Sequence, residues 1–158
     1  MGLLAWLESL PISLWVHESP SVWAQPTVLT LHTMGMAVLV GASWVLDLRL
    51  LGFSRNIPLS AFRWVFRAVA AGLIVNVVTG ILLFMQRATS LGTAIPFLVK
   101  MGLVIASVAT LVPLRSHVFR GDEDQWEASG SARLLAIASI VAWSGAITAG
   151  RLLAYLVP

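Results

Sequence analysis

Four apolar runs, each long enough to cross a bilayer, constrain this chain more than any other feature of its sequence. They extend over about residues 27–51, 62–85, 95–118 and 132–157. A transmembrane helix needs about 20 mostly apolar residues, and in lipid it satisfies its own backbone hydrogen bonds. The sequence therefore predicts an all-α integral membrane protein, in which residues 26–158 form an antiparallel four-helix bundle.

The composition favours the same class of protein. Of the 158 residues, 58% are apolar and only 11% are charged, whereas a soluble domain has roughly 25% charged residues. The net charge of +3 does not indicate nucleic-acid binding, because the basic residues flank the apolar runs, where they set orientation. We expect the lipid bilayer as the partner. The absence of cysteine excludes disulfides, thiolate metal sites and thiol catalysis.

The N-terminal segment, residues 1–25, differs from the four runs. It is apolar but is interrupted by acids and prolines, and it lacks the charged start and cleavage site of a signal peptide. The segment contains three tryptophans, as is typical of a helix that lies in the membrane interface. We predict an amphipathic interfacial helix here; the tryptophans are Trp6, Trp15 and Trp23.

The distribution of arginine predicts the orientation. No Lys or Arg precedes the first run, and the second loop has only Arg87. The first and third loops with their flanks are basic: they carry Arg49, Arg55, Arg63 and Arg67, and Arg115, Arg120 and Arg133. By the positive-inside rule, both termini should lie on the outer side of a bacterial inner membrane. The acidic stretch 121–127 is expected to be a solvated loop.

Asp47 and Arg49 close the first run at its cytoplasmic end. Charged residues near helix ends commonly reach the interface with their head groups. We therefore interpret Asp47 as an interfacial residue that pairs locally, with Arg63 or Arg67 as its partner.

His32 is the residue of the first run that most suggests function. It lies roughly 8 Å into the helix from the outer side. Gly35 and Gly41 nearby leave room for a close neighbour, either a helix or a flat ligand. A neutral histidine that hydrogen-bonds across helices is one interpretation, and a metal ligand, haem ligand or proton-handling group is the other.

The other runs carry polar residues at a similar depth. His32, Lys100 and Arg151 converge on the outer half of the predicted bundle, where only Glu8 and Glu18 could balance their charge. Such a basic cluster suits an anionic or oxygen-bearing ligand, such as a propionate, a quinone oxygen or a lipid phosphate; snorkelling of the two long side chains is the alternative. The candidate cofactor-binding residues are His32, Gly35, Asn76, Thr79, Lys100, Thr148, Arg151 and Tyr155.

His32 and His117 cannot ligate the same iron. His117 lies at the far end of the third run, roughly 25 Å below His32 along the membrane normal. Axial nitrogens on one iron stand about 4 Å apart, because each metal–imidazole bond is near 2 Å. If His32 binds haem, its axial partner is His17 from the N-terminal segment, or the iron has no second protein ligand.

The chain resembles a bacterial family of four-helix membrane proteins of unknown function. The resemblance covers most of the chain and implies a fold and a site, but no reaction. It is carried by Ser21, Trp23, Pro26, His32 and Gly35, by DLRLLG at 47–52, by TGILLF at 79–84, by PFLVKMGLV at 96–104 and by GRLLAY at 150–155.

Two characterised families show a more limited similarity. The chain has a histidine in the first helix, a lysine near the start of the third helix and a histidine at the end of the third helix. This pattern is similar to that of the membrane-embedded protoporphyrinogen oxidase that carries haem b. It is similar also to that of copper-resistance membrane proteins of the CopD type. The rest of either pattern is missing here, so the resemblance implies only that His32 and Lys100 face a cofactor.

Three functions follow as expectations. The first is an inner-membrane subunit that binds haem b or a quinone in the outer half and takes part in electron transfer, with a redox partner protein or a second copy of the chain. The second is a copper-handling protein, for which five methionines and three histidines are available. The third is a non-catalytic assembly or anchor subunit. No Ser–His–Asp set shares a depth, so hydrolysis is not indicated.

Overall fold

The computed structural model describes residues 2–54, 56–120 and 130–156, with the backbone alone at residues 59, 60, 114 and 116–120. The predicted acidic loop therefore lies outside the described residues, as does Arg55. The helices are α1 (Leu3–Glu8), α2 (Pro11–Glu18), α3 (Gln25–Leu51), α4 (Arg63–Met85), α5 (Ala88–Gly92), α6 (Ile95–Arg120) and α7 (Gly130–Leu156), with a 3-10 turn at Leu59–Phe62.

Four of these helices, α3, α4, α6 and α7, are long and apolar enough to cross a membrane. They coincide with the four predicted runs to within a few residues. The prediction of an all-α membrane bundle is thus confirmed, and the chain is a multi-pass membrane protein.

The four long helices pack in the order α4, α3, α7, α6. Helix α3 packs against α4 and α7, and α6 packs against α7, whereas α4 and α6 touch at few points. We call the end of the bundle that carries α1, α2 and α5 the upper end, and the opposite end the lower end. Because the long helices alternate in direction, the described parts of both termini lie at the upper end.

Glycine allows α3 and α4 to approach closely. A Cβ on Gly72 would lie 2.8 Å from the Leu39 nitrogen and 2.9 Å from the Gly35 oxygen, and one on Gly35 would lie 3.2 Å from the Asn76 nitrogen. Small residues at such crossings let two backbones come together and gain van der Waals contact. The glycine at 35 therefore makes room for a helix.

Helix α3 begins and ends at recognisable signals. Pro26 lies in its first turn, where a missing N–H costs nothing. Gly52 follows the helix with φ of 108°, and the Gly52 and Phe53 N–H groups donate to carbonyls of the last turn. A residue without Cβ adopts this left-handed conformation at no steric cost. These signals fix the register of His32 and Asp47 along α3.

The N-terminal segment forms two short helices instead of the single predicted helix. Pro11 begins α2, since it fits the first turn of a new helix but cannot donate within a continuing one. Helix α1 is fastened to α5 by the Glu8 carboxylate, whose Oε1 accepts from the Thr89 N–H at 2.8 Å and from the Thr89 hydroxyl at 2.7 Å. Leu4 packs over Gly92 beside this contact.

Substitution of Glu8 tests how α1 is held. The hydrogen bonds from Thr89 lower the pKa of Glu8 from its usual 4.5. A lowered folded-state pKa means that this contact contributes fully above the ordinary pKa and is lost as the pH falls through the lowered value. We expect Glu8→Ala, or a pH below about 4, to lower the protection of the α5 amides against hydrogen exchange, relative to their intrinsic exchange rate at the same pH. Glu18→Gln, on the exposed end of α2, should leave that exchange unchanged; equal effects of the two substitutions would contradict a specific contact.

Candidate functional site

His32 joins α3 to α4 in the upper half of the bundle. Its ring is half-buried, and Nδ1 lies 3.0 Å from the Thr79 hydroxyl oxygen. Asn76 Nδ2 donates to the His32 carbonyl oxygen at 2.9 Å. Asn76 and Thr79 are about one turn apart on α4, so both reach the same turn of α3. Three of the predicted site residues thus come together, beside Gly35.

The Thr79 hydroxyl determines which nitrogen of His32 carries the proton. The hydroxyl oxygen lies 2.6 Å from the Val75 carbonyl oxygen. A carbonyl can only accept, so the single hydroxyl hydrogen points to Val75 and Thr79 must accept from His32. Nδ1 is therefore the N–H nitrogen of the neutral ring, and Nε2 keeps a lone pair. The interhelical contact leaves Nε2 as the reactive atom of His32.

Glycines line this region, but protein atoms occupy the space beside them. A Cβ on Gly80 would lie 3.2 Å from His32 Cε1, and Gly35 is covered by Val75 and Asn76 of α4. Gly41 has no neighbouring atom within 4 Å. Of the two occupants that the sequence allowed at Gly35, a helix and a flat ligand, the structure has the helix.

Lys100 is the second basic group of the upper half. It lies near the start of α6, is half-buried, and runs along α7: a Cβ on Gly150 would be 3.4 Å from Lys100 Cε and 3.7 Å from Nζ. Its positive charge acts on His32. Within the described part of the chain, no carboxylate forms a salt bridge with it. Lys100 thus places an ammonium, which has three donor hydrogens, in the upper half of the bundle without an acid partner among the described residues.

The polar residues of α7 are placed differently from their predicted role. Thr148 is exposed and its hydroxyl donates to Ser144 O of its own helix at 2.9 Å. Arg151 is exposed as well, with its guanidinium 6.0 Å from the ring of Tyr155, which is 72% exposed. The structure does not bring these three to His32. The snorkelling interpretation suits Arg151.

The residues considered as metal ligands, His32 and His17, lie on α3 and α2. His17 is exposed on α2, where its charge acts on Glu8. No group of three His, Cys, Asp or Glu side chains that could hold a metal ion occurs among the described residues. The side chain of His117 is not described, but its place near the lower end of α6 keeps it far from His32, which lies near the upper end of α3.

Asp47 belongs to a second polar group, in the lower half of the bundle. It is 0% exposed, and neither carboxylate oxygen has a hydrogen-bond partner. The Ser139 hydroxyl of α7 is near enough to act on the carboxyl but does not complete a hydrogen bond. The indole N–H groups of Trp44 and Trp143 are also buried without partners.

The interfacial interpretation of Asp47 was therefore wrong. Helix α7 covers the residue and keeps it from the interface and from the arginines of α4, which are exposed. Sequence reasoning also missed Ser139 and Trp143. Their spacing of four, within a buried stripe of small residues at Ala132, Ala136, Ala142 and Ala146, is the signal that marks the inner face of α7.

Comparisons of the chain with protein families, with curated proteins and with solved structures give no match. The two polar groups are therefore the features from which a function can be inferred.

Proposed function

We propose that the chain is a redox subunit of the bacterial inner membrane that binds the head group of a quinone in its upper half, between His32 and Lys100. The observation that supports this most directly is the state of His32. The hydrogen bond to Thr79 fixes the ring and leaves Nε2 as a hydrogen-bond acceptor. Lys100, which packs along α7 beside Gly150, supplies the hydrogen-bond donors.

These two groups match the two oxygens of such a ligand. A quinol hydroxyl donates to a neutral imidazole nitrogen, and a quinone carbonyl accepts from an ammonium. Oxidation of a quinol releases two protons and two electrons; His32 Nε2 accepts one of the protons, and the other passes to water at the upper end of the bundle. The electrons pass to a redox centre in a partner protein. The apolar helices supply the surroundings that an isoprenoid tail requires.

A haem b would use the same Nε2 as an axial ligand. Within the described residues, however, His17 is exposed and the glycine beside His32 is covered by α4, which favours the quinone over the haem. Copper would need further ligands around His32; because no group of three His, Cys, Asp or Glu ligands occurs in the described ranges, methionine sulfurs would have to supply them. We therefore propose the quinone as the ligand of this site.

Ligand binding by the purified protein tests the proposal. Short-chain ubiquinone and menaquinone analogues are titrated into the protein in nanodiscs, with tryptophan fluorescence as the signal. We expect saturable binding of one analogue per chain. A Soret band in the visible spectrum would instead assign the site to haem. If the protein shows neither quinone binding nor a Soret band, the assembly subunit remains as the function.

The orientation is a separate prediction. Arginine is concentrated at the lower end of the bundle, so that end should face the cytoplasm and the upper end the periplasm. Alkaline phosphatase fused after residue 158 should then be active, and green fluorescent protein fused there should be dark. The opposite pair of results would place the proposed quinone site in the cytoplasmic leaflet. A fusion inserted after Gly52 provides the control of opposite sign.

A further inference from the structure

A cleft of about 610 Å³ separates α4 from α6 in the lower half of the bundle. It exists because α4 and α6 pack on different partners, α3 and α7, and barely touch each other. At the upper end the gap is closed by Phe84 and Phe97, whose rings stack 5.1 Å apart. The cleft therefore opens towards the bilayer and towards the lower end.

The two ends of the cleft differ in chemistry. Its lower end carries three arginines, Arg63 and Arg67 from α4 and Arg115 from α6. Its upper part is lined by apolar side chains and closes at Leu73 and Val108. An apolar slot that ends in several guanidinium groups matches a molecule with a tail and an anionic head.

The length of the cleft fits one leaflet of a bilayer. From Arg63 to Leu73 a helix rises roughly 15 Å at 1.5 Å per residue. The hydrocarbon core of a bilayer is about 30 Å thick, so one leaflet is about half of that. An acyl chain in the cleft would thus reach the middle of the membrane while its phosphate lies level with the arginines.

We propose that this cleft is a binding site for an anionic phospholipid of the leaflet at the lower end. The phosphate and anionic head group pair with Arg63, Arg67 and Arg115, and one acyl chain lies against Phe66 and Val112. Arginine suits this role because its planar fork binds phosphate oxygens in pairs. The site is separate from the one proposed for a quinone, so each can exist without the other.

Lipid competition in nanodiscs measures how strongly the cleft prefers an anionic phospholipid to a zwitterionic one. The purified protein is exchanged between phosphatidylcholine discs and discs with a fraction of phosphatidylglycerol, and the lipid retained is counted by native mass spectrometry. We expect retained phosphatidylglycerol in preference to phosphatidylcholine. Each basic contact near a membrane surface contributes about a fivefold preference, so Arg67→Gln with Arg115→Gln should lower retention by more than tenfold.

Two further variants separate the cleft from general surface charge. Arg133→Gln removes an exposed arginine of α7 at the same end, outside the cleft, and should change retention little. Ala70→Phe keeps every arginine but fills the cleft wall, and should lower retention as much as the double substitution. Equal retention of the two lipids, an equal effect of Arg133→Gln, or unchanged retention in Ala70→Phe would overturn the proposal. Size-exclusion profiles confirm that each variant is folded.

Discussion

His32→Ala should lower the affinity for a quinone analogue by about tenfold to a hundredfold and leave the bundle folded. The substitution removes the acceptor Nε2, and an unmade hydrogen bond in a buried site costs about 1–3 kcal/mol. The fold should survive because one interhelical hydrogen bond in a membrane protein averages only about 0.6 kcal/mol. Binding titration in nanodiscs gives the affinity, and circular dichroism with size exclusion monitors the fold.

Two companion substitutions give this experiment its controls. Thr79→Val removes the acceptor that fixes the His32 tautomer, so both tautomers become available and affinity should fall only severalfold. Arg151→Gln removes an exposed cation at the upper end of α7 and should have no effect. Wild-type affinity in His32→Ala would exclude the proposed site, whereas an equal loss in Arg151→Gln would indicate that only the surface charge matters.

Lys100→Ala should weaken binding by about tenfold. The ammonium is a donor to the second oxygen of the ligand, and it is the basic side chain of α6 whose charge acts on His32. Lys100→Arg keeps the charge but needs more space beside Gly150, against which Lys100 packs, and should recover binding partly. Full recovery in Lys100→Met would mean that the stem, and not the charge, supports the site.

The fold was predictable because the physical constraint is severe. Runs of more than twenty apolar residues leave a chain few alternatives to membrane helices. The ends of the helices follow from local chemistry, as with Pro26 in the first turn of α3 and Gly52 after its last turn. The break between α1 and α2 was missed, although Pro11 marks it. Short helices depend on contacts such as that of Glu8 with Thr89, 81 residues away, which a local pattern does not contain.

The upper site was predictable in part, for a similar reason. His32, Asn76 and Thr79 are polar residues in otherwise apolar helices, and such residues usually find one another. Which face of α7 points inwards was not evident, because Thr148 and Arg151 form a polar stripe as regular as the buried stripe of small residues. In lipid an exposed hydroxyl can bond to its own helix, as Thr148 does, so polarity alone does not mark the interior.

Asp47 shows the opposite failure, in which a residue that looks interfacial is buried. Sequence position placed it near a helix end, where a charge reaches water at little cost. The rotation of α3 decides otherwise, since Asp47 falls on the same face as Leu39, Ser43 and Leu46, all 0% exposed. That face is buried within the bundle. Only the packing of two helices that are distant in sequence reveals this.

Asp47→Leu should therefore stabilise the protein, although it removes a charged residue from the DLRLLG stretch at 47–52. A polar group buried without a hydrogen bond costs about 1–3 kcal/mol, and leucine has the same number and branching of side-chain heavy atoms, so it takes the same place between α3 and α7. At roughly 2–4 °C per kcal/mol for a chain of this size, the melting temperature in detergent should rise by several degrees. Asp47→Asn remains polar and should melt close to the wild type. A large decrease in the melting temperature of Asp47→Leu would mean that a bound water or cation pairs with the carboxyl. In that case Ser139→Ala should be destabilising as well. An increase in the melting temperature would mean that the buried acid destabilises the chain. In membrane proteins, ionisable residues that are retained in this way commonly serve function.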